Sequence, residues 1–193
     1  ADENRSLYAQ FRDPSGGDSF DDLERSAWYY SYVVEAVSHG LFNGVSETKF
    51  EPNGTMTRAM AVTVLWRMAG EPSALKTAPF SDAPQGQWFS AAVNWAYENN
   101  VVNGVSPTEF EPEENLTRAH LITMVYRMAG EPTVEATTSK FTDVKENSYY
   151  FKATVWAEQN GIINGTSETT FSPNVGCTRA QVVTFLWRAY RDK

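Results

Sequence analysis

Three arginines, Arg58, Arg118 and Arg179, each stand inside the tripeptide Thr-Arg-Ala. The guanidinium fork suits two-pronged binding of a carboxylate, where lysine offers a point charge. Three aspartates, Asp22, Asp82 and Asp143, recur in step with them, as do the aromatics Trp28, Trp88 and Tyr149. An aromatic at a groove edge presents a flat apolar face on which a sugar ring stacks. Three Asn-Gly steps, at Gly44, Gly104 and Gly165, form turns and let a ligand come close to backbone amides. These types in this pattern point to binding of an anion. Two plainer readings stand beside that one. The aspartates and arginines pair as buried structural ties, and the aromatics serve the core, where such rings contribute large buried areas.

Catalysis has little to build on. The chain has no Gly-x-Ser-x-Gly elbow and no phosphate-cradling glycine loop, and His39 and His120 do not fall at equivalent places. With one cysteine, Cys177, and two histidines, neither a disulfide framework nor a zinc ligand set can be assembled, so no catalytic residue, metal or cofactor is expected. Twenty-four acidic against 16 basic side chains give a net charge of -8, the wrong sign for bulk attraction to nucleic acid or anionic lipid. The stretch from Ala59 to Trp66 is interrupted by Thr63 and far too short for a bilayer span, which argues against membrane insertion. At 41% hydrophobic and 13% aromatic residues, the 193-residue chain has the composition of a folded protein. Its Ala-Asp-Glu-Asn start suits a processed export product or a piece of something longer.

The elements that must position these residues come as a threefold repeat. Phe20, Phe80 and Phe141 mark one register, and between Phe20 and Arg67 fourteen positions carry the same residue in all three copies. The spacing is 60 residues and then 61, and the extra residue falls between Pro132 and Phe141, in a linker. The boundaries read as a leader over residues 1 to 19, then repeats over 20–72, 73–132 and 133–193. Each repeat predicts helix, long loop, helix. The first helices span roughly Trp28 to His39, Trp88 to Asn99 and Tyr149 to Asn160, followed by Gly40, Asn100 and Gly161, residues that tolerate a left-handed helix end. The second helices start at Thr57, Thr117 and Thr178, whose hydroxyls suit an N-cap. Periodicity then puts Arg58, Val62 and Leu65 on one apolar stripe, with the arginine in the first turn, where the helix dipole disfavours a cation by a few tenths of a kcal/mol. Thr63, Thr123 and Thr184 read as hydroxyls bonded to the preceding turn. Arg67, Arg127 and Arg188, near helix ends, read as structural, and Trp66, Tyr126 and Trp187 as core.

In order and spacing, Phe-x-Asp, the aromatic pair, Asn-Gly, Phe-x-Pro and Thr-Arg-Ala resemble a tandem of three S-layer homology domains over residues 20 to 193. The resemblance implies an all-α, pseudo-threefold, three-pronged bundle with a central three-helix bundle, one chain forming a monomeric pseudo-trimer. It implies a secreted, non-enzymatic part of a longer surface protein, held at the bacterial cell surface by an anionic, typically pyruvylated, secondary cell-wall polysaccharide in grooves between repeats. Arg58, Arg118 and Arg179 would then hold the ligand carboxylate at helix N-termini, helped by loop amides around Gly44, Gly104 and Gly165. The fourth signature residue, usually Glu and often Gln, is Met60, His120 and Gln181 here, so the grooves are expected to be unequal. The alternative is a protein-interaction or self-assembly module that binds no glycan.

Overall fold

The computed structural model describes residues 20–190, so the leader expected over residues 1 to 19 lies outside the described residues. Within them the protein is all-α, with six helices and no strand: α1 Tyr30–Ser38, α2 Arg58–Met68, α3 Ser90–Glu98, α4 Arg118–Met128, α5 Phe151–Gln159 and α6 Arg179–Tyr190. Only isolated bridges, such as Thr57 with Asn115 and Thr117 with Gly176, bring extended backbone together.

The threonine caps form as the sequence predicts. Thr57 Oγ1 accepts the Met60 amide (3.3 Å), Thr117 Oγ1 the His120 amide (3.2 Å) and Thr178 Oγ1 the Gln181 amide (3.3 Å). At α4 and α6 the third residue returns the bond, the Thr117 amide donating to His120 Nδ1 (3.4 Å) and the Thr178 amide to Gln181 Oε1 (3.1 Å). These are reciprocal capping boxes, which Met60 cannot complete. The next two amides of each helix have no partner within it. They donate instead to the loop of another repeat. Arg58 and Ala59 reach the Glu114 and Pro112 carbonyls (both 3.0 Å), Arg118 and Ala119 those of Val175 and Pro173 (3.0 and 2.9 Å), and Arg179 and Ala180 those of Gly54 and Pro52 (2.8 and 3.0 Å).

The first helices begin two residues later than the aromatic pairs suggest. The amides of Tyr30, Ser90 and Phe151 donate to carbonyls three residues back, at Ala27, Gln87 and Ser148, so the pair closes a turn before the α-ladder starts. Their far ends are as expected, with Gly40, Asn100 and Gly161 at φ of 68°, 57° and 66°. The helices pack as α1 with α6, α2 with α3 and α4 with α5, so the second helix of one repeat lies on the first helix of another. Among the described residues, one compact unit comprises residues 20–55 together with 178–190, and holds α1 and α6. The other spans Met56–Cys177 and holds α2 to α5.

Phe50, Phe110 and Phe171 of the Phe-x-Pro loops are fully buried, and each meets the phenylalanine that opens its repeat, at 5.7, 5.6 and 5.8 Å between ring centres. Tyr126 is core, but Trp66 and Trp187 are only half-buried. Trp66 Nε1 donates to the Pro72 carbonyl (2.9 Å), just as the Tyr126 hydroxyl donates to Pro132 (2.8 Å). Each Asn-Gly loop folds back against its own repeat. A Cβ on Gly104 would stand 2.5 Å from Phe80 Cε1 and 2.6 Å from the Glu109 carbonyl oxygen, at a φ of +78°. Gly104→Ala therefore destabilises the protein by about 2 kcal/mol or more, read from denaturant midpoints.

His120 adds a pH dependence. Burial, reinforced by the Arg58 cation, lowers its pKa from 6.5 to about 4. Between those values the unfolded chain binds a proton that the folded chain does not, so this contribution is complete above pH 6.5 and is lost as pH falls towards 4. His120→Gln keeps the capping acceptor, as Gln181 shows, and removes the titration. The drop in melting temperature from pH 7 to about pH 4.5 is therefore smaller for H120Q than for the parent, followed by circular dichroism. An equal drop in the two proteins would contradict this account.

Candidate functional site

Arg58, Arg118 and Arg179 share one geometry, and it differs from a carboxylate tie. The Nε of each donates to a phenylalanine carbonyl in another repeat: Arg58 to Phe110 (2.9 Å), Arg118 to Phe171 (2.7 Å) and Arg179 to Phe50 (2.7 Å). The guanidinium carbon lies over the ring of that same phenylalanine, at 4.8, 4.7 and 4.6 Å from its centre. Burial lowers the pKa of all three, yet arginine starts so high that each stays cationic. For Arg58, Glu111 is the first of the charges that oppose the effect of burial.

The copies diverge beyond Nε. Arg118 Nη2 donates to the Asn164 carbonyl (2.8 Å) and Arg179 Nη2 to the Asn43 carbonyl (2.7 Å), the asparagines of two Asn-Gly steps. Arg58 is 4% exposed, and among the described residues its terminal nitrogens have no hydrogen-bond acceptor. It lines a cavity of about 400 Å³ bounded by the Val102–Val105 loop, His120, Thr123, Met124, Arg127 and Tyr149. A buried cation with open donors facing such a cavity has the chemistry to accept an anion.

The aspartates take a different part from the paired ties that the sequence left open. Asp22 accepts the amides of Phe50 and Glu51 (2.9 and 2.7 Å), Asp82 those of Phe110 and Glu111 (2.8 and 2.7 Å), and Asp143 those of Phe171 and Ser172 (2.8 and 2.7 Å). Each clamps a non-glycine residue in the left-handed region, with φ of 56°, 58° and 59° at Glu51, Glu111 and Ser172. At Asp22 burial works to raise the carboxyl pKa, and the amides of Phe50, Glu51 and Asp22 itself, with the Lys49 charge, together outweigh it and hold the value below the ordinary one. The aspartates thus fix the loop whose phenylalanine receives the arginine, and act on the site through that loop.

Trp28, Trp88 and Tyr149 are 59%, 58% and 61% exposed, so they are not core residues. The second member of each pair takes the inward place and the first stands edge-on against it, at 5.3, 5.2 and 5.0 Å between ring centres. Tyr149 borders the Arg58 cavity, as does Gly104. The amide of Gly104 has no acceptor among the described residues. The helix N-termini, expected to share in holding an anion, are closed by the loop carbonyls that take up their amides.

Three residues of the cavity were not singled out as ligand contacts by the sequence. His120 lies beside Tyr149, 6.4 Å between ring centres and 30° between planes, with Nδ1 accepting the Thr117 amide, which leaves the proton of the neutral ring on Nε2. Its signal was the departure from Glu at the fourth signature position. Arg127 carries a second cation into the cavity wall. Its Nη2 donates to the Asn103 side-chain amide (3.3 Å), oriented so that this amide also donates to the Val102 carbonyl (3.1 Å), and its Nε lies 4.0 Å from Glu131 Oε1. Nothing in the sequence separates Arg127 from Arg67 and Arg188, which share its place in the repeat. Asn103 read only as a turn former.

Residues 19–61, 79–122 and 140–183 each match the S-layer homology domain. The endoglucanase of Bacillus sp. (strain KSM-635) is 27% identical over 178 residues, which are 88% of this chain and 19% of that protein. The surface-layer 125 kDa protein of Lysinibacillus sphaericus is 30% identical over 82% of this chain and 14% of its own length. For the S-layer protein sap of Bacillus anthracis the figures are 30%, 72% and 16%. The chain therefore spans less than a fifth of the length of each of these relatives. With three successive matches covering most of its length, the chain belongs to the S-layer homology domain family.

Proposed function

We propose that the chain anchors a longer surface protein non-covalently to the bacterial cell wall, by binding an acidic unit of a secondary wall polysaccharide, such as a pyruvylated sugar, beside Arg58. The observation that carries this reading is the open end of a buried guanidinium in a cavity of about 400 Å³. A carboxylate placed there meets the Arg58 fork, with the Gly104 amide at the loop and the exposed Tyr149 ring as a face for the sugar. Hydrogen bonds to charged groups contribute roughly 1.5 to 3 kcal/mol each, so one such contact gives modest affinity. Retention then rests on several contacts along a repeating polymer, each raising the effective concentration of the next. The net charge of -8 is no obstacle, because the cations that matter are local.

The relatives fit this division of labour. Surface-layer proteins and an endoglucanase share this stretch as a minor part of their length, which supports a common attachment role. In this reading the repeats over 20–72, 73–132 and 133–193 are the sequence units, and Arg118 and Arg179, whose Nη2 groups already bind carbonyls, are weaker ligand sites than Arg58.

The test compares the whole chain with its Arg58→Ala and Arg58→Lys variants in pull-down on isolated Gram-positive walls before and after chemical removal of the secondary polymer. The parent binds native walls and loses binding on stripped ones. R58A weakens binding at least about tenfold with helical content retained, and R58K falls between, since it keeps the charge without the fork. Equal retention of a folded R58A, or equal binding to stripped walls, would overturn the proposal, the latter in favour of a protein-interaction module.

A further inference from the structure

A second cavity, of about 500 Å³, adjoins the first. Thr123, Arg127 and Tyr149 belong to both, so the two share one wall and the exposed tyrosine ring stands between them. Its remaining wall comes from the end of α4, the start of α5 and the linker residues Glu131 and Val134–Thr137. That linker holds the extra residue that makes the second repeat interval 61 residues rather than 60. Each cavity falls within the usual range of ligand sites, about 300 to 1,000 Å³.

The two cavities differ in charge. The first contains Arg58 and Arg127 and no carboxylate in its lining. The second contains Glu131, Glu135 and Glu146 against Arg127 and Lys152. Glu131 faces Arg127, which leaves two carboxylates to one ammonium, along with the hydroxyls of Thr123, Thr137 and Ser148. Such a lining offers acceptors and donors to sugar hydroxyls and repels a second acid.

We propose that the second cavity is a subsite for the sugar unit joined to the acidic one, that it takes an uncharged, hydroxyl-rich unit, and that it excludes an acidic unit. Tyr149 then lies under the linkage between the two units, and Arg127 borders both. The inference rests on the anion-binding reading of the Arg58 cavity and adds to it a preferred order of units along the polymer: acidic in the first place, uncharged in the next.

Calorimetric titration of the whole chain decides the matter with three probes: the methyl glycoside of a pyruvylated N-acetylhexosamine, the same unit extended by a neutral N-acetylhexosamine, and the same unit extended by a hexuronic acid. The neutral extension is expected to tighten binding roughly tenfold over the single unit. The acidic extension is expected to bind about threefold or more weakly than the neutral one. Ala136→Trp, in a half-buried linker position where the repeats differ in length, brings the ratio of neutral disaccharide to single unit close to one. Glu135→Lys combined with Glu146→Lys reverses the order of the acidic and neutral extensions. Equal affinity for the single unit and its neutral extension, or no discrimination between the two extensions, would overturn the second subsite and leave the Arg58 reading in place. If none of the probes binds, the Arg58 reading falls, and the second subsite falls with it.

Discussion

A guanidinium taken out of water costs several kcal/mol unless its charge and its donors are met. In this chain the cost is offset without a carboxylate at the contact. Nε bonds a phenylalanine carbonyl, and the ring of the same residue offers its electron-rich face to the cation, an arrangement worth about 0.5 to 2 kcal/mol beyond the hydrogen bond. Because the Nε edge alone is fixed in this way, the opposite edge of Arg58 remains available. A two-pronged salt bridge to a carboxylate would have taken up that edge and left nothing for a ligand. Coupling the arginine to backbone and ring is what allows one residue to hold two repeats together and still present donors.

That coupling places a demand on the loop. The carbonyl and the ring must both face the arginine, which needs a backbone reversal directly after the phenylalanine. The reversal is made by a left-handed residue, at Glu51, Glu111 and Ser172, where a non-glycine side chain is disfavoured by on the order of 1 kcal/mol. The aspartate carboxylate, with one oxygen on each of two successive amides, holds it there. Gly104 meets the other side of the same requirement, since the loop lies so close to Phe80 and its own carbonyls that no side chain fits. The seventeen or so residues between the helices, long for so small a unit, are thus a scaffold for a carbonyl, a ring and an Asn-Gly turn.

Much of this was legible in the sequence, for identifiable reasons. Strict recurrence exposed the helix pairs, the threonine caps and the left-handed ends, because each depends on a local rule. Thr63, Thr123 and Thr184 bond the carbonyls of Ala59, Ala119 and Ala180 at 2.8 Å, as hydroxyls in a helix interior do. What the sequence hid was non-local. Asp22 and Arg58 recur together, and recurrence reports that two residues are needed without reporting whether they touch. The actual links run through loop backbone to the arginine of another repeat, Asp22 through Phe50 to Arg179 and Asp82 through Phe110 to Arg58, and backbone carries no residue identity. Cap rules likewise describe each helix alone, whereas the carbonyls that take up its first amides come from another repeat. Trp28 and Tyr29 are neighbours of similar apolar character, and only the turn ahead of the helix decides which of the two faces solvent.

The fourth signature position differs in all three repeats, and in the second it places a ring in the wall of the Arg58 cavity. His120 caps α4 through Nδ1 as an acidic residue would, yet it remains neutral, because burial and the nearby Arg58 cation both oppose protonation. A glutamate in its place would bring a carboxylate to the wall of the Arg58 cavity and compete with any anion entering it. A neutral imidazole performs the capping task and adds no carboxylate to those already acting on Arg58. In the anchoring reading, the residue that departs from the family signature is the one that keeps a carboxylate out of this groove. Under the anchoring proposal, one strong site flanked by weaker copies suits a polymer whose acidic units are spaced apart. The chain then needs a single firm hold at any moment, with the other arginines serving first to join the repeats.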